Sequence, residues 1–109
     1  MEKACVVLTT LDDADRSRAL AREIIEMRLA ACVQLMERTE SFYRWEGTTE
    51  SAVETALWIK TTEDRVNELR EWLLAHHPYR VPEFLVLPVL GGSADYLNWI
   101  THSTTPPPD

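Results

Sequence analysis

The sequence predicts an α+β fold, and three observations carry that prediction. Apolar residues alternate in some stretches and recur at helical spacing in others, in the order strand, helix, strand, strand, helix, strand. The two middle strands form one long hairpin, Ala31–Lys60, interrupted only at Glu46–Gly47–Thr48. A short helical run then follows the last strand. This βαββαβ order is the split unit of a ferredoxin-like plait, one antiparallel sheet with both long helices on one face. A chain of 109 residues is expected to form a single domain, placed here at 1–103, with 104–109 as a flexible Pro-rich tail.

Lys3–Thr10 is nearly continuous in apolar residues and suits a central strand. Asp12 or Asp13 then caps a helix, Asp15 sits in its favourable first turn, and Leu20, Ile24 and Met27 form its apolar stripe as far as about Arg28. In the hairpin, Val33 and Leu35 alternate on the way out and Val53, Leu57 and Ile59 on the way back. Strand, helix and strand in one sheet make a parallel pair with a right-handed crossover. Thr61 or Thr62 caps the second helix, whose stripe is Val66, Leu69 and Leu73 and whose end is set by Pro78 after His76–His77. Glu83–Val89 is the last strand, and Pro88 assigns it to an edge or a bulge. Gly91–Gly92 turn the chain, Ser93 caps, and Ala94–Thr101 is the third helix.

The hairpin is long for its domain. Ala31–Arg44 as a strand reaches about 45 Å, whereas a compact chain of this length is about 34 Å across. The tip, with Phe42, Tyr43 and Trp45, must bend or lean on something else, and the polar run Glu37–Glu40 is the place for a bulge. The sheet face opposite the two long helices lacks cover from its own chain, so an apolar patch there marks an interaction site. Both features predict association with further copies, and four tryptophans in so small a chain agree with aromatic interfaces.

A net charge of −7 opposes binding to nucleic acid and favours cations as partners. No apolar run is long enough to span a bilayer, and Met1–Thr10 lacks the pattern of a secretory leader. A cytoplasmic protein without membrane contact is expected. The two cysteines, Cys5 and Cys32, fall on parallel strands with one strand between them. That spacing, about 9–10 Å, is too wide for a disulfide.

Several segments together carry a family resemblance: Leu29–Val33 (LAACV), Ser41–Gly47 (SFYRWEG), Glu54, Ile59–Asp64 (IKTTED), His76–Val89 (HHPYRVPEFLVLPV) and Tyr96–Ile100 (YLNWI). Over about Ala4–Ser103 the chain resembles the CutA family of divalent-cation tolerance proteins. The resemblance implies a ferredoxin-like fold, a homotrimer whose hairpins clasp neighbouring subunits, and an architecture like that of the PII signalling proteins. It also implies copper binding, or binding of other divalent metal ions, through His76 and His77. Thr9 stands where some members carry a cysteine, so a soft ligand is missing here.

From the residues alone, His76–His77 is the one candidate ligand pair. Adjacent helical residues diverge, but the break before Pro78 permits joint ligation. The alternative is a helix end stabilised by one imidazole, with the other ring packed locally. Tyr43, Trp45, Glu54, Lys60, Tyr79, Glu83, Tyr96 and Trp99 are the candidates for intersubunit clefts, either as a ligand pocket or as subunit glue. Glu54 and Lys60 share a face but stand too far apart to pair. No Gly-rich phosphate loop, Cys-x-x-Cys or His-Glu-x-x-His motif occurs. The expectation is a non-enzymatic, metal-binding homotrimer. The alternative is a PII-like signalling or scaffold module that binds a small ligand or partner protein between subunits.

Overall fold

The computed structural model describes residues 3–106. Strand β1 (Ala4–Leu11) leads to helix α1 (Ala14–Glu26), then to the hairpin strands β2 (Cys32–Trp45) and β3 (Thr48–Thr62). A 3-10 turn at Glu63–Arg65 opens helix α2 (Val66–His76), followed by β4 (Leu85–Pro88) and α3 (Ala94–Thr104). The sheet order is β2-β3-β1-β4 with every neighbouring pair antiparallel, which is the ferredoxin-like arrangement. β1 and β2 are parallel to each other with β3 between them, and both cysteines are free thiols.

Alternation along the strands sorts the sheet into two faces. Val7 and Leu11 of β1 and Leu57 and Ile59 of β3 pack with Leu20 and Ile24 of α1 and Leu69 and Leu73 of α2 to form the core. Both long helices therefore cover one face. α1 starts where Asp13 accepts a hydrogen bond from the Arg16 backbone N–H at 3.0 Å. It ends at Glu26, with Arg28 at φ 58°. Arg28 N–H bonds to Ile25 O and Leu29 N–H to Ile24 O, both at 3.0 Å. That is a Schellman motif, and buried Ile24 and Leu29 supply its apolar contact. Met27, placed in the buried stripe from the sequence, is instead the cap and is exposed.

The hairpin is as long as the sequence implies. The molecule measures 46 × 30 × 21 Å, with a radius of gyration of 14.7 Å. Trp45 pairs with Thr48, so the turn holds two residues rather than three, Glu46 and Gly47, at φ 50° and 79°. Two central residues with positive φ are the signature of a type I′ turn. The expected bulge is present. Met36 pairs with Ala56 and Thr39 with Glu54, leaving Glu37 and Arg38 opposite Thr55 alone, with Arg38 at φ 62°. Arg18 of α1 braces this kink through ion pairs at 2.8 Å to Glu37 and to Asp15.

The structure corrects four further boundaries or contacts. Thr62 occupies the expected cap position, but its hydroxyl donates to the Asp64 carboxylate instead of accepting a helix N–H. β4 is confined to Leu85–Pro88 and lies at the sheet edge, where Pro88 is tolerated. Thr104, assigned to the tail, is the last residue of α3. It is buried, its hydroxyl donating to Ile100 O at 2.9 Å. Pro107, Pro108 and Asp109 of the predicted tail lie outside the described residues.

The fourth correction concerns the second sheet face. It is not bare, because α3 docks on it: Ile100 and Thr104 are buried there with Ala4 and Thr62. What stays open is a row across the sheet, Gln34, Trp58, Leu8 and Leu85, joined by the cross-strand pairs Gln34–Trp58, Leu8–Trp58 and Leu8–Leu85. Trp58 and Leu85 are exposed in that row, as are the nearby Met36 and Leu87.

Candidate functional site

The paired histidines do not form a chelate. His76 is the last residue of α2. Its Nδ1 lies 2.7 Å from Trp72 O, one turn back, and its ring stacks on the Trp72 indole at a centroid distance of 4.3 Å. A carbonyl only accepts, so Nδ1 carries the proton and the free lone pair is on Nε2. Arg16 of α1 reaches over to donate to His76 O at 3.1 Å, satisfying an orphan carbonyl of the helix end.

His77 turns the other way and is buried. The Tyr79 backbone N–H donates to His77 Nδ1 at 3.1 Å, so Nε2 carries the proton and donates to Thr10 O at 2.9 Å. Both ring nitrogens are engaged within the chain and no lone pair is left for a metal. Burial also pushes the imidazole pKa below its ordinary 6.5, outweighing the Thr10 hydrogen bond. Among the described residues, no three His, Cys, Asp or Glu side chains converge as ion ligands. Of the two rings, only that of His76 keeps a nitrogen, Nε2, without a partner among the described residues.

His77 is one link in a chain of contacts. Its ring meets the Tyr79 ring edge-on at 4.8 Å, and the Tyr79 hydroxyl donates to Glu54 Oε2 at 2.7 Å. Burial, then the Glu54 carboxylate, drive the Tyr79 phenol pKa well above 10. The end of β1, the loop after α2 and the middle of β3 are thereby tied together.

These ties floor a cavity of about 730 Å³ between the hairpin arm and the α2–β4 loop. Phe42, Tyr43 and Trp45 come to it from the arm, and Tyr79 and Glu83 from the loop. Glu54, only 9% exposed, lies in its wall. Glu83 has its carboxyl pKa raised by burial and then by the Glu54 charge. Sequence reasoning singled out Tyr43, Trp45, Glu54, Tyr79 and Glu83, and the fold brings these five together. It missed Asp12, read as a helix cap, and Arg80, whose guanidinium lies 5.9 Å from the centre of the Trp45 ring. An acidic residue just past a strand and a basic one beside Tyr79 were the available signals.

Lys60, Tyr96 and Trp99 form a second, separate cluster under α3. Lys60 Nζ donates to Tyr96 Oη at 3.2 Å and lies 5.4 Å from that ring's centre, while Tyr96 and Trp99 are 5.5 Å apart. Six residues of strand separate Lys60 from Glu54, about 20 Å, so the eight candidates divide into two sites.

Comparison with known proteins places this architecture. The family model described as "CutA1 divalent ion tolerance protein" matches residues 5–103. A divalent-cation tolerance protein CutA of Citrobacter koseri is 43% identical over 101 residues, covering 93% of this chain and 88% of its own length. The crystal structure of CutA1 from Oryza sativa superposes with a TM-score of 0.92 at 39% identity, covering 95% of each chain. A structure described as the periplasmic divalent cation tolerance protein CutA from Archaeoglobus fulgidus gives 0.90 at 29% identity, covering 94% of this chain and 99% of that one. The overall superposition and the sequence agree, and this chain belongs to the CutA1 divalent ion tolerance protein family.

Proposed function

We propose that this chain acts as a homotrimer in the tolerance of divalent metal ions, copper among them, by binding rather than by catalysis. The observation that carries association is the open row Trp58, Leu8 and Leu85 on the sheet face away from the core. An apolar patch that runs across three of the four strands marks an interaction surface. The outer edges of β2 and β4 offer free backbone groups beside it. The number three comes from the family resemblance. Native mass spectrometry tests it directly: the expected species has three times the 12.5 kDa of one chain, and a single-chain species at working concentration overturns the assembly.

The metal contact is proposed at His76, an exposed residue whose Nε2 has no partner among the described residues, and not at His77. One imidazole per chain makes an exchangeable site suited to Cu(II), not a buried chelate. Titration with Cu(II), followed by calorimetry, is expected to lose its binding heat in His76→Ala and keep it in His77→Gln. The reverse result refutes the assignment. The proposed setting is the cytoplasm; among the described residues no helix is long and apolar enough to cross a membrane.

A second reading has its own support. The cavity beside Glu54 has aromatic walls and a few converging polar groups, which is the form of a small-molecule site. In this reading the trimer is a PII-like module whose occupied pocket signals to a partner.

A further inference from the structure

We propose that the cavity at the base of the hairpin arm binds an elongated organic dication, a molecule with two protonated amines on an apolar spacer. Glu54 and Glu83 receive the charges, and Tyr43 and Trp45 form the wall along the spacer. The proposal rests on the small-ligand reading above and gives that pocket its chemistry.

Charge is the first argument. Glu54 is nine-tenths buried, yet its side chain's one hydrogen bond among the described residues comes from the Tyr79 hydroxyl to Oε2. Oε1 has no hydrogen-bond partner among the described residues, and no Lys, Arg or His comes within ion-pairing distance of either oxygen. Oε1 is not fully buried, so an unpaired carboxylate oxygen on a nine-tenths buried residue is open to a cationic guest. Asp12 and Glu83 line the same cavity, where burial first and the Glu54 charge second oppose the ionisation of Glu83. Three carboxylates against the single guanidinium of Arg80, in a chain of net charge −7, select for a cation and against an anion.

Shape is the second argument. A bare metal ion needs several ligands converging on one point, and no such group of three exists among the described residues. Asp12, Glu54 and Glu83 line one cavity without converging as a ligand group, which suits charges held apart on one molecule. The walls fit the same guest. The Trp45 ring already accepts a cation on its face, Arg80 at 5.9 Å, and aromatic faces bind ammonium groups by the same attraction.

The test uses the intact assembled protein with 1,4-diaminobutane as the probe, read by calorimetry. Comparators are butylamine, magnesium ion and glutarate. The expected result is saturable binding of the diamine at least ten times tighter than butylamine, with no binding of glutarate. Glu54→Gln should weaken the diamine at least tenfold while the unfolding midpoint and the assembled mass hold, because the Gln amide oxygen still accepts from Tyr79. Glu83→Gln should weaken it as well. Equal affinity for mono- and diamine, magnesium displacing the diamine, or unchanged binding in both variants overturns the proposal. If glutarate binds and the diamine does not, the dication is wrong while a ligand pocket stands. If no probe binds and Trp45→Ala dissociates the assembly, the cavity belongs to a second copy of the chain, and both readings fall.

Discussion

His77 shows how one residue's protonation state holds distant segments together. Its neutral ring accepts from the Tyr79 N–H and donates to Thr10 O, and protonation would remove the first of these bonds. Asp12 and Glu54 face the ring and favour its charge, Arg16 opposes it, and burial decides the balance towards a pKa below 6.5. The unfolded chain therefore binds the proton at higher pH than the folded one. The stabilisation is complete above the unfolded pKa of 6.5 and is lost as pH falls from there through the folded pKa. Urea unfolding at about pH 7.5 and about pH 5.5 is expected to show a loss of stability that His77→Gln reduces. An unchanged pH slope in that variant refutes the linkage. The pair His76–His77 was visible in the sequence, but their divergence was not. It depends on where the Thr10 carbonyl and the Trp72 indole lie, and only the packed fold sets those positions.

At the scale of elements, the hairpin was readable in detail because its signals are local. Alternation gave the strands, Gly47 marked the turn, and the run of charges at Glu37–Glu40 marked the bulge. The docking of α3 was not readable. Its apolar residues show that one side is buried, but not which layer receives it, and that choice is made by Ala4, Thr62 and Ile100 meeting on the second face. The two clusters of candidate residues escaped sequence reasoning for a related reason: register along β3 separates Glu54 from Lys60, while a loop brings Tyr79 to Glu54. The turn itself makes a testable contrast. Gly47 sits at φ 79° with open space where a Cβ would go, so Gly47→Ala is penalised by backbone strain alone. The expected cost is about 1 kcal/mol. Gly91→Ala, also with open space and without a left-handed φ, should stay within about 0.5 kcal/mol of the parent. Equal unfolding midpoints for the two variants would contradict the turn assignment.

The molecule as a whole is built in two layers plus an arm, and its two faces differ in how they are finished. The helix-covered face is closed by its own chain. The other is closed only where α3 lies, and the strip through Trp58 stays open. Exposure alone does not distinguish the two situations: Trp58 is 40% exposed and Ile25, on the outer side of α1, is 39% exposed. Position does. Trp58 begins an apolar run through Leu8 to Leu85 across paired strands, whereas Ile25 adjoins Arg22 and Glu26 beside a shallow groove. An acidic residue placed in an interface core leaves an unpaired charge in a desolvated patch, and loss of an aromatic anchor there costs about 2 kcal/mol or more per site. Cyclic closure repeats that loss in every subunit. Trp58→Asp is therefore expected to shift the sedimenting species to a single chain while circular dichroism keeps its α+β character, because the side chain faces away from the Val7–Leu73 core. Ile25→Asp should leave the sedimentation unchanged. If both variants sediment like the parent, the open face is not where the copies meet, and the free edges of β2 and β4 must carry the assembly instead.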